Sequence, residues 1–211
     1  GAPPSDGKNE TEIWNGTSWT EVNNLNVLRN THAGGGISTA GLIFGGTIPP
    51  GEARTGRTEQ WDGTNWTEVG DMNVATDKLK GGGNGTTLAG IAFGGNGPPG
   101  AKAVATEEWD FTSTLGAGAW AAGGALNTGR TGMGNAGTTH GGILAFGGTP
   151  GGTPGHAETE EYNGSSWTEV ADLNAVHNYT MGTGTTTEAA ICAGVYPSGA
   201  AVEVWNGTGW T

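Results

Sequence analysis

An aromatic residue returns along this chain at nearly fixed distance, and the residues around it return with it. Aligning TEIWNGTSWTEV (11–22), TEQWDGTNWTEV (58–69), TEEWDFTSTLGAGAWAAG (106–123), TEEYNGSSWTEV (159–170) and VEVWNGTGWT (202–211) places Trp14, Trp61, Trp109, Tyr162 and Trp205 in one slot. The intervals of 47, 48, 53 and 43 residues fall in the range of propeller blades rather than helical solenoids.

Four pieces recur between these landmarks. A small-residue segment comes first: NTHAGGG (30–36), DKLKGGG (77–83), TGMGNAG (131–137) and NYTMGTG (178–184). A short apolar run closing in small residues follows, as GLIFGG (41–46), GIAFGG (90–95), ILAFGG (143–148) and AICAG (190–194). The Thr-Glu-x-Trp and Trp-Thr-Glu-Val segments complete the unit, separated by Asn-Gly or Asp-Gly at 15–16, 62–63, 163–164 and 206–207. Such a dipeptide between aromatic and β-branched runs signals a tight hairpin, because both residues tolerate positive φ. Four short strands per repeat, without helical periodicity, predict an antiparallel meander, and several meanders packed radially make a propeller of four to five blades. Gly and Ala in each first strand suit the crowding near a propeller axis.

These residues resemble the kelch family: an apolar strand closing in Gly-Gly, an aromatic about a dozen residues on, then a Trp after a tight turn. The resemblance covers almost the whole chain and implies a kelch-like, all-β propeller. It says little of function, since propellers host unrelated activities. The fourth repeat departs from the pattern at Cys192-Ala193-Gly194, and the third carries an insertion between Asp110 and Ala119. The Gly/Thr/Asn-rich style with WNGTSWTEV-like cores is also similar to repeats in phage and environmental-virus structural proteins.

The frame predicts a half blade at 10–22 followed by blades at about 29–69, 76–122, 130–170 and 177–211. Unpaired edges on a half blade invite strand addition. Three completions are expected: covalent continuation in a longer repeat chain, a neighbouring subunit, or pairing with 177–200 in place of 202–211.

A net charge of -12 with 8 basic residues argues against nucleic-acid binding, which needs clustered Lys and Arg. Much of the acidity is scaffold, because Glu12, Glu59, Glu107, Glu160 and Glu203 share one slot, and Glu21, Glu68 and Glu169 another. No apolar run is long enough to span a bilayer, so membrane insertion is not expected. The lone Cys192 is read in the slot of Phe44, Phe93 and Phe146, as a buried small hydrophobe. All nine Trp fall in two slots, Trp14, Trp61, Trp109 and Trp205 in one and Trp19, Trp66, Trp120, Trp167 and Trp210 in the other. Interblade packing is expected of them, and of Tyr162.

No nucleophile elbow, phosphate loop, Cys-x-x-Cys or metal-spaced histidine pair is present. No catalytic residue, metal or cofactor is assigned, beyond a weak Ca²⁺ site that loop carbonyls and carboxylates would supply. Variation concentrates in the second-to-third connections, 47–57, 96–105, 149–158 and 195–200, and at Arg29, Thr76, Arg130 and His177, which occupy one repeat position. Both sets are expected on one face, where Arg29, Thr76, Arg130 and His177, with Arg54, Lys102, His156 and Tyr196, form a candidate binding rim. The expected role is non-enzymatic: a structural or adhesive module of a virion or extracellular filament, with other subunits or surface glycans as partners. A glycan-binding lectin, offering Phe111, Tyr179 and Tyr196, and a secreted hydrolase or oxidase are the alternatives.

Overall fold

The computed structural model describes residues 7–50, 53–83, 87–98, 102–111, 118–139, 141–150, 154–194 and 201–211, and these contain strands but no helix. The pair β1 (Thr11–Trp14) and β2 (Trp19–Val22) forms a two-stranded sheet. A first blade follows in the order β3 (Ala33–Ile37), β4 (Ala40–Phe44), β7 (Thr58–Trp61) and β8 (Trp66–Val69), with the small hairpin β5 (Thr47–Ile48) and β6 (Ala53–Arg54) in its connection. The second blade holds β9 (Lys80–Gly83), β10 (Ala89–Phe93), β11 (Thr106–Asp110) and β12 (Ala119–Ala122). β13 (Gly134–Thr139), β14 (Gly142–Phe146), β15 (Thr159–Tyr162) and β16 (Trp167–Val170) make the third. In the fourth, β17 (Met181–Thr186), β18 (Ala189–Ala193) and β19 (Val202–Trp205) are joined by Trp210 and Thr211, which bridge back to Trp205 and Val204. Each sheet is an antiparallel meander, and the first strands pack in succession, β3 on β9, β9 on β13 and β13 on β17. The molecule is a four-bladed β-propeller preceded by a strand pair.

The blades close on one another through a repeated bond. The indole Nε1 of Trp66, Trp120, Trp167 and Trp210 donates at 2.9 Å to the hydroxyl of Thr11, Thr58, Thr106 and Thr159 in the preceding unit. Phe44, Phe93 and Phe146 meet the same tryptophans of the next blade, with ring centroids 4.9, 4.9 and 4.8 Å from Trp120, Trp167 and Trp210. The strand pair β1–β2 therefore sits where the outer half of a preceding blade would sit. β19 holds the edge of β18, from Ala190↔Trp205 to Ala193↔Val202, so β1–β2 does not take the place of 202–211.

The Gly-Gly endings turn the chain out of each second strand with both residues left-handed, φ 68° and 98° at Gly45 and Gly46 and 64° and 93° at Gly147 and Gly148, a conformation that L side chains resist. In the hairpin turns only the glycine is left-handed, φ 95° at Gly16 and Gly63. The preceding Asn15 or Asp62 stays at negative φ and accepts two backbone N–H bonds on its side-chain oxygen. The turn places Gly first of its two central residues, so Asn and Asp serve as side-chain acceptors rather than as positive-φ residues.

Two packing expectations change. Register pairs Cys192 with Glu203, as Ala92 pairs with Glu107 and Ala145 with Glu160. Ala193 therefore holds the Phe slot, because the fourth repeat keeps one glycine where the others keep two, and Cys192 is buried against the third blade. Trp14 and Trp19 are exposed, unlike Trp61, Trp109, Trp120, Tyr162, Trp167, Trp205 and Trp210, since none of the described residues forms a blade in front of them; Trp66 is half-buried against Thr11.

Candidate functional site

Each blade begins with a lead-in that carries an apolar residue, an Asn, and a polar residue three positions on: NLNVLR (24–29), DMNVAT (71–76), ALNTGR (125–130) and DLNAVH (172–177). The apolar member, Leu25, Met72, Leu126 or Leu173, is buried. The Asn then clamps the glutamate of the third strand. Asn26 donates its backbone N–H and its side-chain amide to Glu59 Oε2 at 2.7 and 2.9 Å, and Asn73, Asn127 and Asn174 repeat this on Glu107, Glu160 and Glu203. The other amide hydrogen of each Asn reaches the carbonyl of Trp66, Trp120, Trp167 or Trp210, tying three segments of the blade together.

The variable position completes the clamp from within. Arg29 donates to Glu59 Oε1 at 2.7 Å and to the carbonyls of Gly45 and Arg57. Arg130 does the same with Glu160, Gly147 and Glu158. In the fourth blade His177 stands in for arginine, with Nε2 2.9 Å from Glu203 Oε1 and Nδ1 2.8 Å from the Gly194 carbonyl. Both nitrogens face acceptor oxygens, so the ring makes both contacts only as the imidazolium. Thr76 bonds back to the Val74 carbonyl, and Glu107 Oε1 takes the N–H of Val74, as Glu59 and Glu203 take those of Val27 and Ala175.

Arg29, Thr76, Arg130 and His177 are thus buried, and the expected rim of accessible groups is instead the polar interior of the blades. A buried carboxylate left without donors is costly, and this demand takes up Arg29, Arg130 and His177. The connections do meet these lead-ins at one end, through the bridges Asn30↔Thr47, Asp77↔Asn96, Thr131↔Thr149 and His156↔His177. There Arg54 pairs with Asp77, Lys102 with the Asn96 side chain, and His156 with Glu158. Tyr196 lies outside the described residues.

The slot just past the clamp was not singled out as a slot by sequence, although Tyr179 within it was named as an aromatic for glycan binding. Thr31, Lys78 and Tyr179 have φ of 53°, 55° and 55°, and Gly132 in the same slot has 63°. Non-glycine residues rarely adopt this region. The conformation is held by bonds across blades, Lys78 N–H to the Thr31 carbonyl, Thr180 N–H to the Gly132 carbonyl and the Thr131 hydroxyl to the Lys78 carbonyl. It presents Thr31, Lys78 and Tyr179 outward.

Cys192, His177 and Glu203 form a line that resembles a nucleophile, base and orienting acid, with Sγ 3.5 Å from Nδ1. The chemistry runs the other way. Nδ1 donates its proton to the Gly194 carbonyl, leaving no lone pair to accept one from the thiol. Burial pushes the Cys192 thiol above its ordinary value, although the Thr180 hydroxyl bond opposes this, and the side chain has no exposure. The line is the arginine clamp rebuilt with histidine.

No family model and no curated protein matches this chain. Among the described residues no group of three His, Cys, Asp or Glu side chains is arranged to hold a metal ion.

Proposed function

We propose that this chain is a kelch-like repeat module with a non-enzymatic, structural or adhesive role in an extracellular or virion assembly such as a tail fibre or filament. The reading is supported by where polar and apolar groups lie. Arg29, Arg130 and His177 are consumed in holding the blades together, while apolar side chains stand exposed on the outer sheet faces at both ends of the blade row, Trp14 and Trp19 at one and Ile191, Val202 and Val204 at the other. Contiguous apolar surface of this kind marks contact with other macromolecules. The partners are other protein subunits, with no nucleic acid and no membrane insertion, and no cofactor beyond weakly held Ca²⁺. The test is fractionation of the source: the chain should be recovered with intact particles or filaments at fixed stoichiometry after a high-salt wash. Recovery solely in the soluble fraction would overturn the assignment.

One observation favours a lectin as the second reading. Tyr179 is 58% exposed and its ring lies across Gly132, a flat aromatic surface of the sort that sugars stack on. Glycan binding that vanishes in Tyr179→Ala, with the melting temperature kept, would move the function there.

A further inference from the structure

Each contact between two of the four blades has two halves. The forward half offers a Phe and a Leu or Ile from the second strand, with a Thr and a Gln or Glu from the third; the backward half offers a pair of aromatic rings. The fourth blade carries a forward half that is exposed, and its composition is different. Val202 stands in the Thr slot, Val204 in the slot of Gln60, Glu108 and Glu161, and Ile191 in the slot of Leu42, Ile91 and Leu144. Ala193 takes the Phe slot, and directly across from it Met181 replaces Ala33, Lys80 or Gly134. Bulk has moved from the second strand to the first, and each polar position has become aliphatic. Met181 is 76% exposed, and a groove of about 360 Å³ runs beside Ile191 and Val204.

The backward half that fits this surface is on the same molecule, at its other end. Trp14 and Trp19 lie with centroids 5.5 Å apart and planes at 45°, the arrangement of Trp61 and Trp66 at 5.2 Å and 44°, although Trp19 is 64% exposed. We propose that the Met181, Ile191, Val202 and Val204 surface of one copy docks the Trp14 and Trp19 surface of a second copy, head to tail. This rests on the structural reading above and names its partner. Methionine sulfur packs favourably on aromatic rings, so Met181 supplies against Trp19 what Phe44, Phe93 and Phe146 supply against their tryptophans. Val202 offers no acceptor to the Trp19 indole, and the contact is drier than those within the chain. Glu12, on the same face as Trp14, stays at the margin, because in the other blades this slot is covered by the lead-in rather than by the preceding blade. The two surfaces differ, so the contact is heterologous and propagates into a ring or a filament rather than closing as a symmetric dimer.

Sedimentation velocity on the 1–211 chain over a wide concentration range tests this. Growth beyond a dimer is expected, and Trp19→Ala and Val204→Asp, both at exposed positions, should each weaken it by about tenfold or more while leaving the melting temperature unchanged. An equimolar mixture of the two variants should form a one-to-one complex, since each keeps one intact surface. A chain that stays monomeric at all concentrations, association that both variants leave untouched, or variants that do not complement each other would overturn the proposal. A monomeric chain still recovered in particles would remove the head-to-tail contact and leave the structural role standing. Self-association of a chain absent from any particle would do the reverse.

Discussion

Tyr162 is the one residue of its slot that is not tryptophan, and its chemistry differs accordingly. Trp61, Trp109 and Trp205 donate their indole N–H to a carbonyl of their own blade, at Ser38, Thr87 and Thr187, whereas the Tyr162 phenol donates to Glu108 of the preceding blade at 2.5 Å. Burial first, and then the Glu108 carboxylate, push its pKa up to about 12. A raised acid stabilises the fold fully below the unfolded value near 10 and loses that contribution as pH rises through the folded value. Absorbance titration of tyrosinate should therefore show one tyrosine ionising only near pH 12 or on unfolding, and Tyr162→Phe should remove that late step. The His177 and Glu203 pair tests the opposite limb. Burial alone would raise Glu203, but the N–H donors of Asn174, the His177 ring and Ala175 outweigh it and hold the carboxyl below its ordinary value of 4.5. Its contribution is present above that value and lost as pH falls through the lower folded one. His177→Ala, which takes the ring donor away from a buried carboxylate, should cost about 1–3 kcal/mol in chemical denaturation at neutral pH. His177→Arg should retain stability, since Arg29 makes the same contacts beside Ile43, a larger neighbour than Cys192. Sequence placed these two clamp residues in one repeat slot with Arg130 but read polar variation as a sign of exposure. The Asn that precedes them was equally visible, in Leu-Asn or Met-Asn before every blade, yet its meaning depends on a glutamate some thirty residues away that only the fold brings near.

Within a blade, strand order, strand type and the Gly-Gly turns were legible because period-two alternation and positive-φ glycines are local properties. Register was less so. Counting from Cys192 as though it ended in two small residues moved the second strand of the fourth blade by one position while Glu203 and Trp205 stayed in their slots, and a shift of one turns a strand's side chains to the other face. Hydrogen bonds correct it: Gly194 N–H meets the Ala201 carbonyl as Gly147 meets Glu158 and Gly94 meets Ala105. The interblade Trp to Thr bond is the element-scale device that carries this register from blade to blade. Thr106→Val removes the acceptor from the buried Trp167 indole with little change of shape. It should cost about 1–3 kcal/mol in denaturant melts. The same change at Thr11, beside half-buried Trp66, should cost much less because water can replace the hydroxyl.

At the scale of the molecule, the described strands make four blades and a leading pair, within the four to five read from the repeat. What repeat counting could not supply is which copies of a conserved-looking slot are covered, since Trp14 and Trp205 read alike while one is exposed and the other buried. The glutamate clamps are each closed inside a single blade, and the Trp to Thr bonds join only adjacent units. A molecule so divided has nearest-neighbour energetics. Opening one interblade seam should therefore leave the polar centre of each neighbouring blade intact, so that loss of structure in a denaturant series proceeds blade by blade, with intermediate plateaus, rather than in one step.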